Sequence, residues 1–229
     1  MVIGSGLLAN TFSSFIDHDG VLIFASGVSN STETNASEFE REKQLLQQTI
    51  ADYPQHKIVY FSTASVIDDS VKHRPYVAHK LAMERLIATT AQTYLIARVS
   101  NVVGPHGNAT NIMNFLIKAI RTQTPIHVWE YAQRNFIDKD DILYIITQLL
   151  QKNVSNTIVN VALENSVLVS DVVKQIERHF NTQAIATFVP KGNPLVIDVS
   201  DIKCELEVIR QQNGSGEVYI SNLIRKYYK

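Results

Sequence analysis

Short apolar runs alternate with longer amphipathic segments along the chain. The short runs are rich in β-branched and aromatic residues, which predicts buried strands at 2–3, 21–27, 58–61, 94–99, 125–129 and 156–162. The longer segments place apolar residues three and four positions apart, which predicts helices at 7–17, 38–51, 75–91, 111–121, 142–150, 167–180 and 219–229. Strands that alternate with helices favour an α/β fold, with helices on both faces of a parallel sheet.

Two of these helices carry more specific expectations. In helix 38–51 the apolar positions include Phe39, Leu46 and Ile50, so we expect the charged residues to form a solvated outer face. Helix 167–180 is expected to start at Ser166 or Ser170, because serine is favoured at helix N-termini.

Composition limits the class of protein. The chain has 229 residues, 45% of them hydrophobic and 19% charged, which is typical of a soluble globular protein of one domain with a small lobe. A formal net charge of -1 argues against a nucleic-acid partner or an anionic membrane surface, and no apolar run approaches the ~20 residues of a membrane span. Cys204 is the only cysteine, and no His/Cys/Asp/Glu cluster has metal-ligand spacing. The N-terminus lacks the features of a secretory signal, so we expect a cytoplasmic protein.

A glycine motif follows the first predicted strand. Gly4, Gly6 and Ala9 fit the pattern G-x-G-x-x-A. Such glycines allow a tight strand-to-helix turn and a close approach of the backbone to a pyrophosphate at a helix N-terminus. Glycine pairs also form ordinary turns, so the motif is compatible with both a phosphate-binding and a purely structural role.

The candidate chemistry lies between Ser62 and Lys80. A buried strand ends in Ser62-Thr63, and Tyr76 and Lys80 follow at the start of a helical pattern, one turn apart on the same face. A phenol has an ordinary pKa of ~10, and a nearby ammonium lowers that pKa by favouring the phenolate. A hydroxyl from Ser62 or Thr63 could share a substrate oxygen with Tyr76. The group would then interconvert an alcohol and a carbonyl by proton transfer.

Two later segments add candidate binding residues. Arg98 begins the pattern R-x-x-N-x-x-G-P, which contains Asn101, and Arg134 begins the segment R-N-F-I-D-K-D-D. Asp140 and Asp141 could form a carboxylate pair or a metal site. We interpret them instead as the N-cap region of the following helix.

In this order, the motifs G-x-G-x-x-A, F-S-T, Y-x-x-x-K, N-x-x-G-P and R-N-F-I resemble those of the extended short-chain dehydrogenase/reductase family. The resemblance implies a Rossmann-like, doubly wound parallel sheet. Only residues 10–20 separate the glycine motif from the next predicted strand, so the second and third strands of the family are missing here. The resemblance further implies a single domain, 1–229, in which segments near 101–135 and 160–229 form a small C-terminal substrate-binding lobe.

The resemblance also implies roles for individual residues. Tyr76 would be the acid-base group, Lys80 would lower its pKa and hold the nicotinamide ribose, and Thr63 would orient the substrate oxygen. The remaining assignments are a phosphate turn at Gly4, Gly6 and Ala9, a strand end beside the cofactor at Ala25, Ser26 and Gly27, and substrate contacts at Ser62, Asn101 and Arg134. The cofactor would be NAD or NADP. Without a ribose-reading strand, its adenosine half would be held differently, for instance by the polar loop 28–34, or its binding would be weakened or lost.

The implied substrate is a nucleotide-linked sugar. Family 4,6-dehydratases carry an Asp-Glu pair directly after the active-site threonine, whereas this chain has Ala64 and Ser65, which argues against water loss. A reductase or an epimerase acting on a keto-sugar nucleotide in polysaccharide biosynthesis remains, with a homodimer expected only by analogy with relatives. The alternative is a non-catalytic family member that serves as a binding or scaffold subunit.

Overall fold

The structure is a computed structural model that describes residues 1–105, 107 and 111–229. The strands in chain order are β1 Val2–Ile3, β2 Val21–Phe24, β3 Lys57–Thr63, β4 Tyr94–Val99, β5 Asn101–Val103, β6 Ile126–Trp129, β7 Gln133–Arg134, β8 Phe136–Asp138, β9 Thr157–Val161, β10 Val167–Leu168 and β11 Ala186–Val189. The helices are α1 Leu7–Thr11, α2 Ala36–Asp52, α3 Pro75–Thr90, α4 Ile112–Arg121, α5 Lys139–Gln151, α6 Val169–Phe180, α7 Lys203–Asn213 and α8 Gly216–Tyr227.

The first of two compact units comprises Met1–Val99 and Lys139–Val161. It contains a five-stranded sheet in the order β1-β2-β3-β4-β9, and all four neighbouring pairs are parallel. Among the described residues, no strand pairs with the outer edge of β1. The expected Rossmann-like sheet, shortened on the side of its first strand, is confirmed.

Strand β3 lies in the middle of this sheet, and its sequence reflects that position. Every residue from Ile58 to Thr63 is buried, because parallel sheets are covered on both faces. Leu22 and Phe24 of β2, Tyr60 of β3 and Leu46 of α2 share one hydrophobic cluster with residues of α3. This packing holds α2 and α3 against the sheet.

The first helix is shorter than the sequence predicts. A helix to Asp17 was expected, but α1 ends at Thr11 and a 3-10 turn spans Ser13–Phe15. The Thr11 hydroxyl donates to the Leu7 carbonyl at 2.8 Å, one of the side-chain bonds that compete with regular helix formation. The buried ring of Phe12 packs on Phe61, with the ring centroids 5.3 Å apart. Tertiary packing therefore ends the helix early.

The second unit comprises Ser100–Asp138 and Ala162–Lys229. Its strands form three short pairs, with β5 parallel to β8, β6 parallel to β11 and β7 antiparallel to β10. Most of these strands have two to four residues, too few to show a period in the sequence. Helix α6 begins at Val169 after Leu168, which gives no side-chain cap, so neither Ser166 nor Ser170 caps this helix as predicted.

Buried Asp138 ties the C-terminal helix to the rest of this unit. The backbone N–H of Asp138 donates to the Tyr219 hydroxyl at 2.8 Å, and its carboxylate accepts from Tyr227 at 2.6 Å and Lys226 at 2.7 Å. Among the helices described, none has the length and apolar character needed to cross a bilayer.

Candidate active site

The end of β3 and the start of α3 bring Thr63 and Tyr76 together. Both residues are buried, and Thr63 lies near enough to the Tyr76 phenol to exert a lowering effect on its pKa. The Thr63 oxygen also accepts from the backbone N–H of Ser65 at 3.1 Å, which caps the 3-10 turn that follows the strand. Pro75 occupies the first turn of α3, where a missing N–H costs nothing, as the sequence predicts. The structure thus places a phenol and a hydroxyl side by side at the carboxyl end of a central strand.

Lys80 lies one turn further along α3 and is 2% exposed. Its ammonium donates to Glu42 Oε1 at 3.0 Å, to the Tyr60 hydroxyl at 3.1 Å and to the Phe61 carbonyl at 3.4 Å. These three bonds use all the donors of an ammonium group. Its Nζ lies 5.9 Å from the centroid of the Tyr76 ring.

Glu42 is the residue of this site that the sequence analysis missed. Its carboxylate is fully buried and accepts from Lys80, from the Tyr60 hydroxyl at 2.5 Å and from the Val28 backbone N–H at 2.6 Å. The His79 ring Nε2 lies 3.0 Å from its second oxygen. The expectation that the charged residues of this helix face solvent is therefore wrong for Glu42. Its position three residues after Phe39 and four before Leu46 puts it on the apolar face, a signal available in the sequence.

The electrostatics follow from this network. Burial alone would raise the pKa of Glu42, but Lys80 and the hydrogen bonds from His79, Tyr60 and Val28 lower it to about 2. Burial lowers the pKa of Lys80, against the opposing effect of Glu42.

The pKa of Tyr76 does not follow the sequence expectation. Burial raises it to about 12, with a further upward contribution from Glu42 and a downward one from the Thr63 hydrogen bond. Lowering by Lys80 was expected, but the ammonium is paired with Glu42 and its charge is neutralised locally.

The glycine turn has the geometry its motif predicts. Gly4 has a φ of +130°, and a Cβ there would lie 2.4 Å from the Ala25 carbonyl oxygen, so only glycine fits. Gly6 precedes α1, and a Cβ at this position would meet no other atom within 4 Å. Ala9 is buried beneath the turn. The backbone of Gly6 is therefore open to close approach by another group.

The segment Ala25, Ser26 and Gly27 follows β2 beside this turn. The Ser26 carbonyl oxygen lies 3.4 Å from an Arg41 guanidinium nitrogen, which donates to it. A Cβ at Gly27 would lie 2.6 Å from Lys80 Nζ and 2.9 Å from Glu42 Oε1. The buried ion pair thus lies directly against the bare backbone of Gly27.

Ser62 has a different environment from Thr63. Its hydroxyl donates to the buried carboxylate of Glu84, which also accepts two bonds from Arg98, at 2.9 and 2.7 Å. Ser62 is therefore part of an internal network beneath the site, and Thr63 is the hydroxyl that meets Tyr76.

Asn101 and Arg134 belong to the second unit. The Asn101 side-chain amide donates to the Asn135 carbonyl at 2.8 Å, and Arg134 donates to the Gln133 carbonyl at 2.7 Å. Asp140 and Asp141 lie in the first turn of α5, where carboxylates are favoured by the helix dipole.

Comparison with known proteins establishes the family. The model of the NAD dependent epimerase/dehydratase family matches residues 4–162, which is most of the chain. The chain belongs to this family. The epimerase/dehydratase match spans the glycine turn, the whole Thr63–Lys80 segment and the strands between them. The predicted family resemblance is therefore confirmed.

Solved structures support the same fold. UDP-glucose 4-epimerase of Thermus thermophilus in complex with NAD is 14% identical, with a TM-score of 0.72 over 95% of this chain and 81% of that one. UDP-glucuronic acid 4-epimerase of Bacillus cereus in complex with NAD is 19% identical, with a TM-score of 0.68 over 95% and 78%. RMD of Pseudomonas aeruginosa complexed with NADPH is 14% identical, with a TM-score of 0.67 over 90% and 80%. A search of curated protein sequences gave no significant match.

Proposed function

We propose that the protein is an NAD(P)-dependent reductase or epimerase that acts on a keto-sugar nucleotide. The observation that supports this most directly is the buried pair Thr63 and Tyr76, where β3 ends and α3 begins, with Lys80 one turn away. In a parallel α/β sheet, ligands bind beyond the carboxyl ends of the strands. Membership of the epimerase/dehydratase family supports the same reaction class.

The described residues fit a dinucleotide in two places. Gly4 makes the tight turn, and Gly6 leaves its backbone open at the start of α1, so a pyrophosphate can approach the N–H groups there. Ala25, Ser26 and Gly27 form the adjacent strand end. When bound, the nicotinamide would supply or accept the hydride, and the protein would move the proton. The solved epimerase structures named above contain NAD, and the RMD structure contains NADPH.

Proton transfer is assigned to the Tyr76 hydroxyl. Thr63 would donate a hydrogen bond to the same substrate oxygen and fix its position, since both side chains meet at one point. No carboxylate stands at Ala64 or Ser65, and the Ser65 N–H is used to cap the turn, so we do not propose a 4,6-dehydratase. By family resemblance, Asn101 and Arg134 are the proposed contacts for the sugar nucleotide, since a guanidinium suits a diphosphate.

A second candidate function is a binding or scaffold subunit without catalysis. It is favoured by two observations, the edge position of β1 and the engagement of all three Lys80 donors by the protein itself. In that case Tyr76 and Lys80 would be retained without chemistry. Cofactor affinity separates the two functions.

The test is a titration of the purified protein with NADH and with NADPH, followed by nicotinamide fluorescence and by thermal unfolding. Ligand at a hundred times its dissociation constant adds roughly 2.7 kcal/mol to the free energy of unfolding. We expect saturable binding of one nucleotide, weakened in Lys80→Met and unchanged in Lys43→Met, which alters a half-exposed lysine on α2. If neither nucleotide binds at millimolar concentration, hydride transfer is excluded and the scaffold function takes its place.

A further inference from the structure

Helices α2 and α3 meet in a buried ion pair that the reaction chemistry does not require. Glu42 and Lys80 join at 3.0 Å, with side-chain exposures of 0% and 3%. Burying two charges costs several kcal/mol per ion unless hydrogen bonds compensate. Here Tyr60, His79 and the Val28 N–H supply those bonds, so the site has been built around the carboxylate.

The ion pair determines how strongly Lys80 acts on Tyr76. An isolated ammonium within a few ångströms favours a phenolate, whereas an ammonium bonded to a carboxylate presents a dipole whose field falls off more steeply. The titratable or charged groups of this region are Arg41 and Glu42 from α2, Tyr60 from β3, and His79, Lys80 and Glu84 from α3. Thr63 also acts on Tyr76, and the apolar side chains that cluster with the Tyr76 ring are Val28, Phe39, Val66, Val77 and Leu81.

We propose that Glu42 is a positioning residue that holds the Lys80 ammonium as an internal counter-ion and so keeps Tyr76 in its protonated form. A protonated Tyr76 is a proton donor, which suits the site to reducing a carbonyl rather than to oxidising an alcohol. The inference rests on the proposed function for its reaction, and it selects the reductase over the epimerase, whose first step removes a proton from the sugar hydroxyl.

Reduction adds a hydride and a proton across the carbonyl. With the nicotinamide of the proposed function as hydride donor, the carbonyl carbon of the keto sugar would gain a hydride, the C=O π bond would break, and the oxygen would take the proton of Tyr76. Bulk water has a pKa of about 15.7, and an alkoxide is comparably basic to hydroxide, so a phenol with a pKa of about 12 donates to it downhill. The phenolate then regains a proton from water.

The first experiment measures the ionisation of Tyr76 directly. The protein has nine tyrosines, so the ring carbon that bears the hydroxyl is labelled with 13C, and the Tyr76 signal is assigned by its loss in Tyr76→Phe. In the wild type we expect Tyr76 to stay protonated at pH values above ~10, which is the ordinary pKa of a tyrosine. Ionisation of Tyr76 below that value would overturn the proposal, whether or not any variant folds.

The second experiment removes the counter-ion. Glu42→Gln keeps the size of the side chain and frees the charge of Lys80, so we expect the pKa of Tyr76 to fall by about 1–3 units. Glu40→Gln is the matched control, because Glu40 lies on the exposed face of the same helix and pairs with Lys43. It should leave Tyr76 unchanged. A folded Glu42→Gln protein with an unshifted Tyr76 contradicts the proposal.

These outcomes are separable from those of the proposed function. The tyrosine titration needs no cofactor, so its failure removes only the role of Glu42. Failure of the NADH and NADPH titrations removes the hydride transfer. In an active enzyme, alcohol oxidation needs the ionised form of Tyr76, so Glu42→Gln should also move the pH profile of oxidation to lower pH, by as many units as the pKa of Tyr76 falls. An unshifted pH profile in a folded, active variant would contradict the role of Glu42.

Discussion

Glu42 on α2 and Lys80 on α3 form a buried ion pair at 3.0 Å, and Tyr60 on β3 bonds to both of them. The three residues connect two helices to the central strand directly beneath the candidate site. A change at any one of them leaves a buried polar group without a partner, which costs more than the bond itself contributes. The same network therefore governs stability and the electrostatics of Tyr76.

The loss of stability at low pH should depend on Glu42. Its pKa is about 2 in the folded protein, against the ordinary value of 4.5 that the unfolded chain retains. Because the pKa of Glu42 is lower in the folded protein, its ionisation stabilises the fold at pH values above the unfolded pKa. That stability is lost as the pH falls from 4.5 through about 2. The shift corresponds to about 3 kcal/mol. Urea unfolding across this range should show the wild type losing about that much more free energy than Glu42→Gln.

This prediction has an internal check. Glu42→Gln should be less stable than the wild type at neutral pH, because Lys80 loses its counter-ion, yet the two curves should converge toward pH 2. Parallel curves over the whole range would show that Glu42 is not ionised in the folded protein. Glu40→Gln, at an exposed position of α2, should follow the wild type throughout.

Substitutions at the two glycines of the turn should distinguish a structural role from a role in cofactor binding. Gly4→Ala forces a side chain into a left-handed conformation against the Ala25 carbonyl, so we expect the free energy of unfolding to fall by more than about 1 kcal/mol. Gly6→Ala meets no atom and has an ordinary backbone conformation, so its cost should stay below about 1 kcal/mol. Gly6→Ala should nevertheless weaken NADH or NADPH binding at least tenfold, measured by nicotinamide fluorescence. Unchanged affinity would exclude Gly6 from the phosphate turn.

Much of the fold could be predicted because its signals are local. The buried strands of the central sheet are short apolar runs, and Gly4 is required by its own backbone angle. The pairing of Tyr76 with Lys80 on one face follows from helix geometry. The family resemblance led to the expectation that Thr63 acts beside Tyr76, and both residues are buried where β3 ends and α3 begins.

The charge state of the site could not be predicted in the same way. Glu42 and Lys80 are separated by 38 positions, and no local pattern shows that they meet. A glutamate in a charged helix is usually solvated, so Glu42 was assigned to the outer face. Ser62 was a plausible substrate contact by its place beside Thr63, but the strand alternation turns it toward Glu84. In the second unit, the predicted strand 125–129 is present as β6, whereas the other short strands gave no signal in the sequence.

Burial should separate two arginine–glutamate pairs of similar geometry. Arg98 makes two bonds to Glu84, which is buried, whereas Arg210 makes two bonds to Glu207 in solvent. We expect Arg98→Leu to lower the free energy of unfolding by about 2–4 kcal/mol, because it leaves the buried carboxylate of Glu84 without its charged partner. Arg210→Leu should change it by less than about 1 kcal/mol. Equal effects in chemical denaturation would contradict the role of burial in the Arg98–Glu84 pair.

A double-mutant cycle on Glu42 and Lys80 should show whether the ion pair is kept for stability. Each single change, Glu42→Leu or Lys80→Met, leaves one buried charge alone and should cost about 3–5 kcal/mol. The double variant removes both charges, and apolar replacements of similar volume are often neutral or stabilising by about 1–4 kcal/mol. We therefore expect the double variant to unfold within about 2 kcal/mol of the wild type, a coupling far larger than the ~1 kcal/mol of an exposed pair. A double variant as unstable as the sum of the single changes would show that the two charges do not compensate each other, and the role of Glu42 as the counter-ion of Lys80 would then fail. Near-native stability would mean that folding does not require the pair, which leaves its effect on Tyr76 as the reason for burying two charges here.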